Sequence, residues 1–199
     1  LQDWLDHLRV SDEAGALPTW LDLAPGKLAK GKPTKKESAK PRLDKLRLAW
    51  VRSVVAACEG QAVQGVLVGC DATVWCSPMD PTVAHDDLRT LLKVWRAGLD
   101  APLPLPMRTA VAKVADEDPE SVYEGGFMRD AEADDPCWSR LYPSFEALTA
   151  DGRFESLADD VWGRIQAWAM NHVTVAMHEA EGGSGNDGVT MQVVTGAEA

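Results

Sequence analysis

Two aspartates carry the first chemical question. Asp6 stands in Trp4-Leu-Asp-His-Leu and Asp22 in Trp20-Leu-Asp-Leu-Ala, each inside a short apolar run. Carboxylates delivered from two neighbouring strands are the hard oxygen ligands that Mg²⁺ prefers. One type of hydrolytic nuclease, the restriction-endonuclease-like type, also needs a Lys two residues after the second carboxylate. Lys and metal together stabilise the developing charge and help to produce the attacking hydroxide. At that position this chain has Ala24. Lys27 follows, but beyond the Pro25-Gly26 turn, where it cannot simply substitute. The next helix should turn polar groups toward such a site, and here it offers Leu48, Trp50 and Val51. The spacing therefore predicts a nuclease scaffold with an empty site. The same aspartates also fit plain surface carboxylates at strand ends.

Those residues need strands, a turn and a helix to place them. Residues 3–10 and 17–24 read as two strands joined by a turn. Residues 27–41 are polar, contain Pro33 and Pro41, and read as an exposed loop. From Arg42 the period changes: Leu43, Leu46, Trp50, Val54 and Ala57/Cys58 mark a helix that stops near Glu59-Gly60. Leu48, Val51 and Val55 widen its stripe and predict burial on two sides. Val63–Cys70 and Thr73–Cys76 read as a hairpin. Asp80-Pro81 caps a second helix with Leu88, Leu91, Leu92, Trp95 and Leu99 on its buried face.

Beyond it, Ala101-Pro-Leu-Pro-Leu-Pro106 must be extended, since alternating Pro forbids a helix. Met107–Ala115 reads as a helix, Glu120–Phe127 as a Gly-Gly loop, and Glu132–Pro136 as an exposed acidic segment. Two more helices follow over 143–150 and 154–169, then a Gly-rich linker after Ala180. The order β-β-α-β-β-α followed by helices predicts a mixed α/β fold. Its expected form is a restriction-endonuclease-like core with a degenerate active site, plus a helical C-terminal lobe. The domain should span 1–170, with a flexible tail over 171–199.

Composition narrows the function. The 199-residue chain has a formal charge of −11, against a general nucleic-acid binder. Yet residues 27–52 hold ten of its 20 basic residues and only two acids, Glu37 and Asp44. Lys27, Lys30, Lys32, Lys35, Lys36 and Lys40 are the candidate DNA contacts, although a solvated loop would read the same way. Cys58, Cys70, Cys76 and Cys137 contain no Cys-x-x-Cys pair and read as reduced thiols of a cytoplasmic protein. Scattered histidines argue against zinc, and Gly125-Gly126 lacks the Lys of a phosphate cradle. No nucleophile elbow occurs, and the clusters Asp116-Glu-Asp118 and Asp134-Asp135 read as solvated faces. No apolar run approaches the ~20 residues of a membrane span. The start, Leu1-Gln-Asp-Trp, has no Met and no signal segment, so the chain reads as the C-terminal end of something longer. Eight tryptophans suggest a surface that is normally covered.

Several stretches, in order, resemble the C-terminal region of RecC, the gamma subunit of exodeoxyribonuclease V (the RecBCD complex). They are Trp4-Leu-Asp-His-Leu-Arg-Val, Lys45-Leu-Arg-Leu-Ala-Trp-Val-Arg and Leu99-Asp-Ala-Pro-Leu-Pro-Leu-Pro. Tyr123-Glu-Gly-Gly-Phe, Asp135-Pro-Cys-Trp-Ser-Arg-Leu-Tyr-Pro and Asp151-Gly-Arg-Phe-Glu-Ser-Leu-Ala continue the series. The resemblance implies a nuclease-like fold without catalysis, inside a machine that processes DNA ends during recombinational repair. It implies RecB- and RecD-like partner subunits, contact with double-stranded ends and single strands, and no membrane. ATP and Mg²⁺ would belong to the partners, with no cofactor in this chain. The long lysine loop departs from the family's pattern. Against this stand two rivals: an active Mg²⁺-dependent nuclease using Asp6 and Asp22, and a protein-interaction scaffold without DNA contact.

Overall fold

The computed structural model describes residues 8–31, 39–126 and 130–178. Its centre is a strand–helix–strand unit. Strand β2 (Thr19–Leu23) leads through a two-stranded ladder, β3 (Ala29–Lys30) with β4 (Lys40–Pro41), into helix α1 (Leu43–Cys58). Strand β5 (Gln64–Val68) then returns parallel to β2, with Thr19 opposite Gln64 and Leu23 opposite Val68. Strand β1 (Leu8–Arg9) adds antiparallel to β2, as the two-strand reading requires. Strand β6 (Ala72–Cys76) closes the expected hairpin with β5.

The sheet has a fifth strand, β7 (Val173–Met177), antiparallel to β6, giving the order β1-β2-β5-β6-β7. This corrects the expected boundary at residue 170, because 173–177 belong to the sheet. The alternation Val173, Val175, Met177 is short and follows a helix directly, so it carries little signal of its own. Residues 179–199, with the Gly-rich linker, lie outside the described part.

Helix α2 (Pro81–Asp100) starts as expected: the Asp80 carboxylate accepts from the amides of Thr82 and Val83, with Pro81 in the first turn. Helix α3 (Met107–Val114) follows the proline connector. The Gly-Gly loop expected over 120–127 is instead led by a short helix, α4 (Pro119–Glu124), capped by Asp118 and ended by Gly125 at φ 80°. The expected acidic surface at 132–136 is also partly structural. Glu132 accepts from the amides of Arg108 and Thr109 and from the Thr109 hydroxyl, which satisfies the open end of α3. Helices α5 (Pro136–Leu141), α6 (Phe145–Thr149), α7 (Arg153–Ala158) and α8 (Arg164–His172) complete the chain, with a π turn at Asp159–Gly163 between the last two.

One core joins sheet and helices. Trp20, Leu67 and Val74 on the sheet, Leu46, Trp50 and Val54 on α1, and Phe154, Ile165 and Trp168 on the later helices share it. The helices after α2 therefore do not form a separate lobe. Glycine fixes the closest approach: a Cβ on Gly65 would lie 2.0 Å from Trp20 Cζ2. Only glycine lets the Trp20 ring lie flat across β5. Among the described residues, no helix is long and apolar enough to cross a membrane.

Candidate functional site

The face of the sheet under α1 carries Trp20 and Asp22, since side chains alternate along β2. Trp20 is buried and Asp22 half-buried, while Leu21 and Leu23 point away. Asp22 is ion-paired. Arg52 of α1 donates to its Oδ2 at 2.6 Å, and the Leu23 amide donates to Oδ1 at 3.0 Å. The same guanidinium lies 5.4 Å over the Trp20 ring, a cation–π contact that fixes its direction. A side chain from the helix thus fills the space beside the carboxylate with positive charge.

Ala24, at the position where a nuclease would carry its Lys, lies on the same face of the strand. Its amide donates to the Val68 carbonyl at 2.9 Å and its methyl packs against the core. Lys27 is exposed beyond the turn. Asp6 lies outside the described residues. Among the described residues, no group of three or more His, Cys, Asp or Glu side chains converges as a metal site.

The helix residues expected over this site need correction. Leu48 and Val51 are exposed on the far side of α1, as is Val55. Trp50 points into the core and donates its indole N–H to Asp87 at 3.3 Å. Arg52 is the residue that reaches β2, and its role is not legible in the apolar pattern of the helix. A signal existed: Ala49, Ser53 and Ala56 recur at helical spacing, and small residues mark the face where a helix lies close to a sheet.

The described ends of the basic segment, residues 27–31 and 39–41, are tied to the rest of the fold. Leu28, Ala29 and Ala39 are buried, contrary to the reading of 27–41 as wholly exposed. Asp71, in the β5–β6 turn, accepts from the amides of Leu28 at 2.7 Å and Ala29 at 3.4 Å. Gly69 has no room for a side chain, because a Cβ would lie 2.6 Å from Leu28 Cγ. These contacts pin the start of the β3–β4 ladder to the sheet.

Of the candidate lysines, Lys30 is ion-paired with Glu117 beyond α3. Lys27 and Lys40 are exposed and make no ion pair with another described residue. Lys32, Lys35 and Lys36 lie outside the described residues. Further along, Asp44 takes a two-pronged contact from Arg42, at 3.2 and 3.0 Å, and Arg47 donates to its carbonyl. Much of the local charge is thereby answered within the chain. The open groove between the ladder and α3 mixes Lys30, Lys40 and Arg108 with Asp116, Glu117 and Asp159, which is no continuous phosphate track.

All four thiols are free. Burial pushes the Cys76 thiol up to about 12, and burial, with Glu59 and Asp87, raises that of Cys58.

Fold and site together define a mixed α/β domain whose strand–helix–strand unit presents an ion-paired acid and a pinned basic ladder. The RecC C-terminal domain family matches residues 1–118, more than half of the chain, and the protein belongs to that family. The match covers β1 through α3, so the motifs at Tyr123, Asp135 and Asp151 lie beyond it. Comparison with curated proteins gives no match.

Proposed function

We propose that this chain is a non-catalytic, DNA- and subunit-contacting domain of a RecC-type subunit. It would act in a cytoplasmic exodeoxyribonuclease V complex during recombinational repair of double-strand breaks. One observation carries the reading: Arg52 sits on Asp22, and Ala24 turns a methyl into the core where a catalytic Lys would stand. The reading keeps a restriction-endonuclease-like core in which a helix-borne guanidinium has replaced the metal. Hydrolysis, ATP and Mg²⁺ then belong to the RecB- and RecD-like partners. The lysines between β3 and β4 would lie along phosphates of the incoming duplex or of a separated strand. The ladder pinned by Asp71 and the exposed Lys27 and Lys40 at its ends support this.

The assembled complex tests both halves of the proposal. Lys32, Lys35 and Lys36 changed together to Gln should weaken DNA binding. The slope of log K against log salt should fall by about 0.9 for each phosphate no longer neutralised. Unchanged affinity and slope would remove the DNA contact and leave a protein scaffold. Asp22→Ala in the same complex should leave Mg²⁺-dependent cutting intact. Abolished cutting would restore the rival reading, an active site built on Asp22 and Asp6.

A further inference from the structure

The two faces of the sheet are not alike. On one, Trp20, Leu67, Ala72, Val74 and Cys76 belong to the core, and Val173, Val175 and Met177 pack against it. Side chains alternate along a strand, so the residues between them stand on the opposite face. There the ladders align Leu21, Val66, Trp75 and Thr174 in one row. Leu23, Val68, Thr73 and Ala176 form the next. None of these residues joins the core. Leu21 and Trp75 are each 38% exposed and Leu23 74%. The helices that share the core lie on the first face, and the second is open.

An open face is unusual for this sheet, because β2 and β5 run parallel. Sheets with parallel strands are normally covered on both faces, whereas an antiparallel sheet can show water a polar face. Charged residues make up 26% of the chain, yet none stands in either row. The row of Arg9, Thr19 and Gln64 meets its charge only at the edge strand β1. Thr73 is already bonded to His178 Nε2 at 2.9 Å, so it demands nothing of an occupant.

The relief of this face suits one kind of occupant. Along β5 the side chains are short, Val66 and Val68, while β2 flanks them with Leu21 and Leu23 and β6 with Trp75. The valines are the floor of a trough and the longer side chains its walls, which is why Val66 is buried. Three strands span about 10 Å, and five residues of strand run about 17 Å. A helix with its side chains is about 10–12 Å across, and about 11 residues, three turns, cover 17 Å. An apolar trough of this size takes a helix by its apolar face. It holds no cation for a phosphate, and a charge pressed into it would lie unpaired.

Resting on the proposed subunit-contacting role, we infer that the open face of the sheet seats a helix of about three turns from a partner subunit, laid along β5 through a face that carries no charge. Trp75 and Leu23 are its anchors on the two walls. Contacts this poor in charge are those of permanent assemblies.

The test uses the full-length subunit and its RecB- and RecD-like partners, each titrated separately. Leu23→Asp puts a charge on one wall at a largely exposed side chain, and an unchanged thermal midpoint checks that the variant folds. It should weaken association with one partner by about tenfold or more, and Trp75→Ala should weaken binding of the same partner. Both losses should be alike at low and high salt, since no ion pair is involved. Leu23→Cys should react with a maleimide in the free subunit and be protected in the complex, read by mass spectrometry at that site. Unchanged association, or a Leu23→Cys that reacts equally in the complex, would overturn the seat while leaving the general role intact. A Leu23→Cys unreactive in the free subunit would overturn it too, because the subunit would then cover its own face. Self-association of the unaltered subunit that Leu23→Asp abolishes would give the face to a second copy instead. Failure of the unaltered subunit to bind either partner would overturn the proposed function itself.

Discussion

The Asp22–Arg52 contact is a structural pair that joins β2 to α1. Both side chains are partly buried, at 32% and 23% exposure, so the pair is shielded more than a surface ion pair. Arg52 also covers the Trp20 ring, which links the charge to the packing of β2 under α1. Removing either partner leaves the other beside apolar surface. Arg52→Ala should cost about 1–2 kcal/mol in chemical denaturation, because it removes the charge-assisted bond and the cover over the ring. The double change Asp22→Ala, Arg52→Ala should cost less than the sum of the two, with a coupling of about 1 kcal/mol. Strict additivity would show that the pair contributes nothing to the fold.

At the level of elements, two contacts lock α1 in place. The buried Asp87 carboxylate takes the Trp50 indole N–H and the Arg164 guanidinium, so one side chain joins α1, α2 and α8. Asp87→Ala strands the Trp50 indole N–H, leaves Arg164 with Asp86 alone, and should destabilise by about 1–3 kcal/mol. Asp87→Asn keeps an acceptor for Trp50 and should cost less. The other lock is steric. Gly65→Ala forces a methyl into the Trp20 ring and should cost about 1–3 kcal/mol, read as a shift of the denaturant midpoint at constant slope. A neutral Gly65→Ala would mean that β2 and β5 can separate to admit it.

For the molecule as a whole, acid is the sensitive limit. The Asp80 carboxylate is held below the usual range by the amides of Val83 and Thr82, and that of Asp86 by Arg164. Groups whose folded pKa is depressed stabilise the fold above their unfolded pKa, near 4, and that contribution fades as pH falls through the folded value. Stability should therefore decline below about pH 4, and Asp80→Asn with Asp86→Asn should flatten that decline in a midpoint-against-pH series. An unchanged slope would assign acid sensitivity to other carboxylates.

The sequence by itself determined the main strands and helices through α3, apart from the β3–β4 ladder that it read as loop, together with the cap of α2 and the extended proline connector. Each rests on local rules: periodicity, the fixed φ of proline, or spacing along one strand. Family membership was legible for the same reason, in runs such as Lys45-Leu-Arg-Leu-Ala-Trp-Val-Arg. Tertiary structure alone decided what local rules cannot reach. It gave Asp22 its partner 30 residues away and Lys30 its partner 87 residues away. It turned Leu48 and Val51 outward, because an apolar stripe states that a face can be buried, not what lies against it. It also recruited Val173–Met177 to the sheet, since a five-residue edge strand is defined by the backbone of β6 that it pairs with.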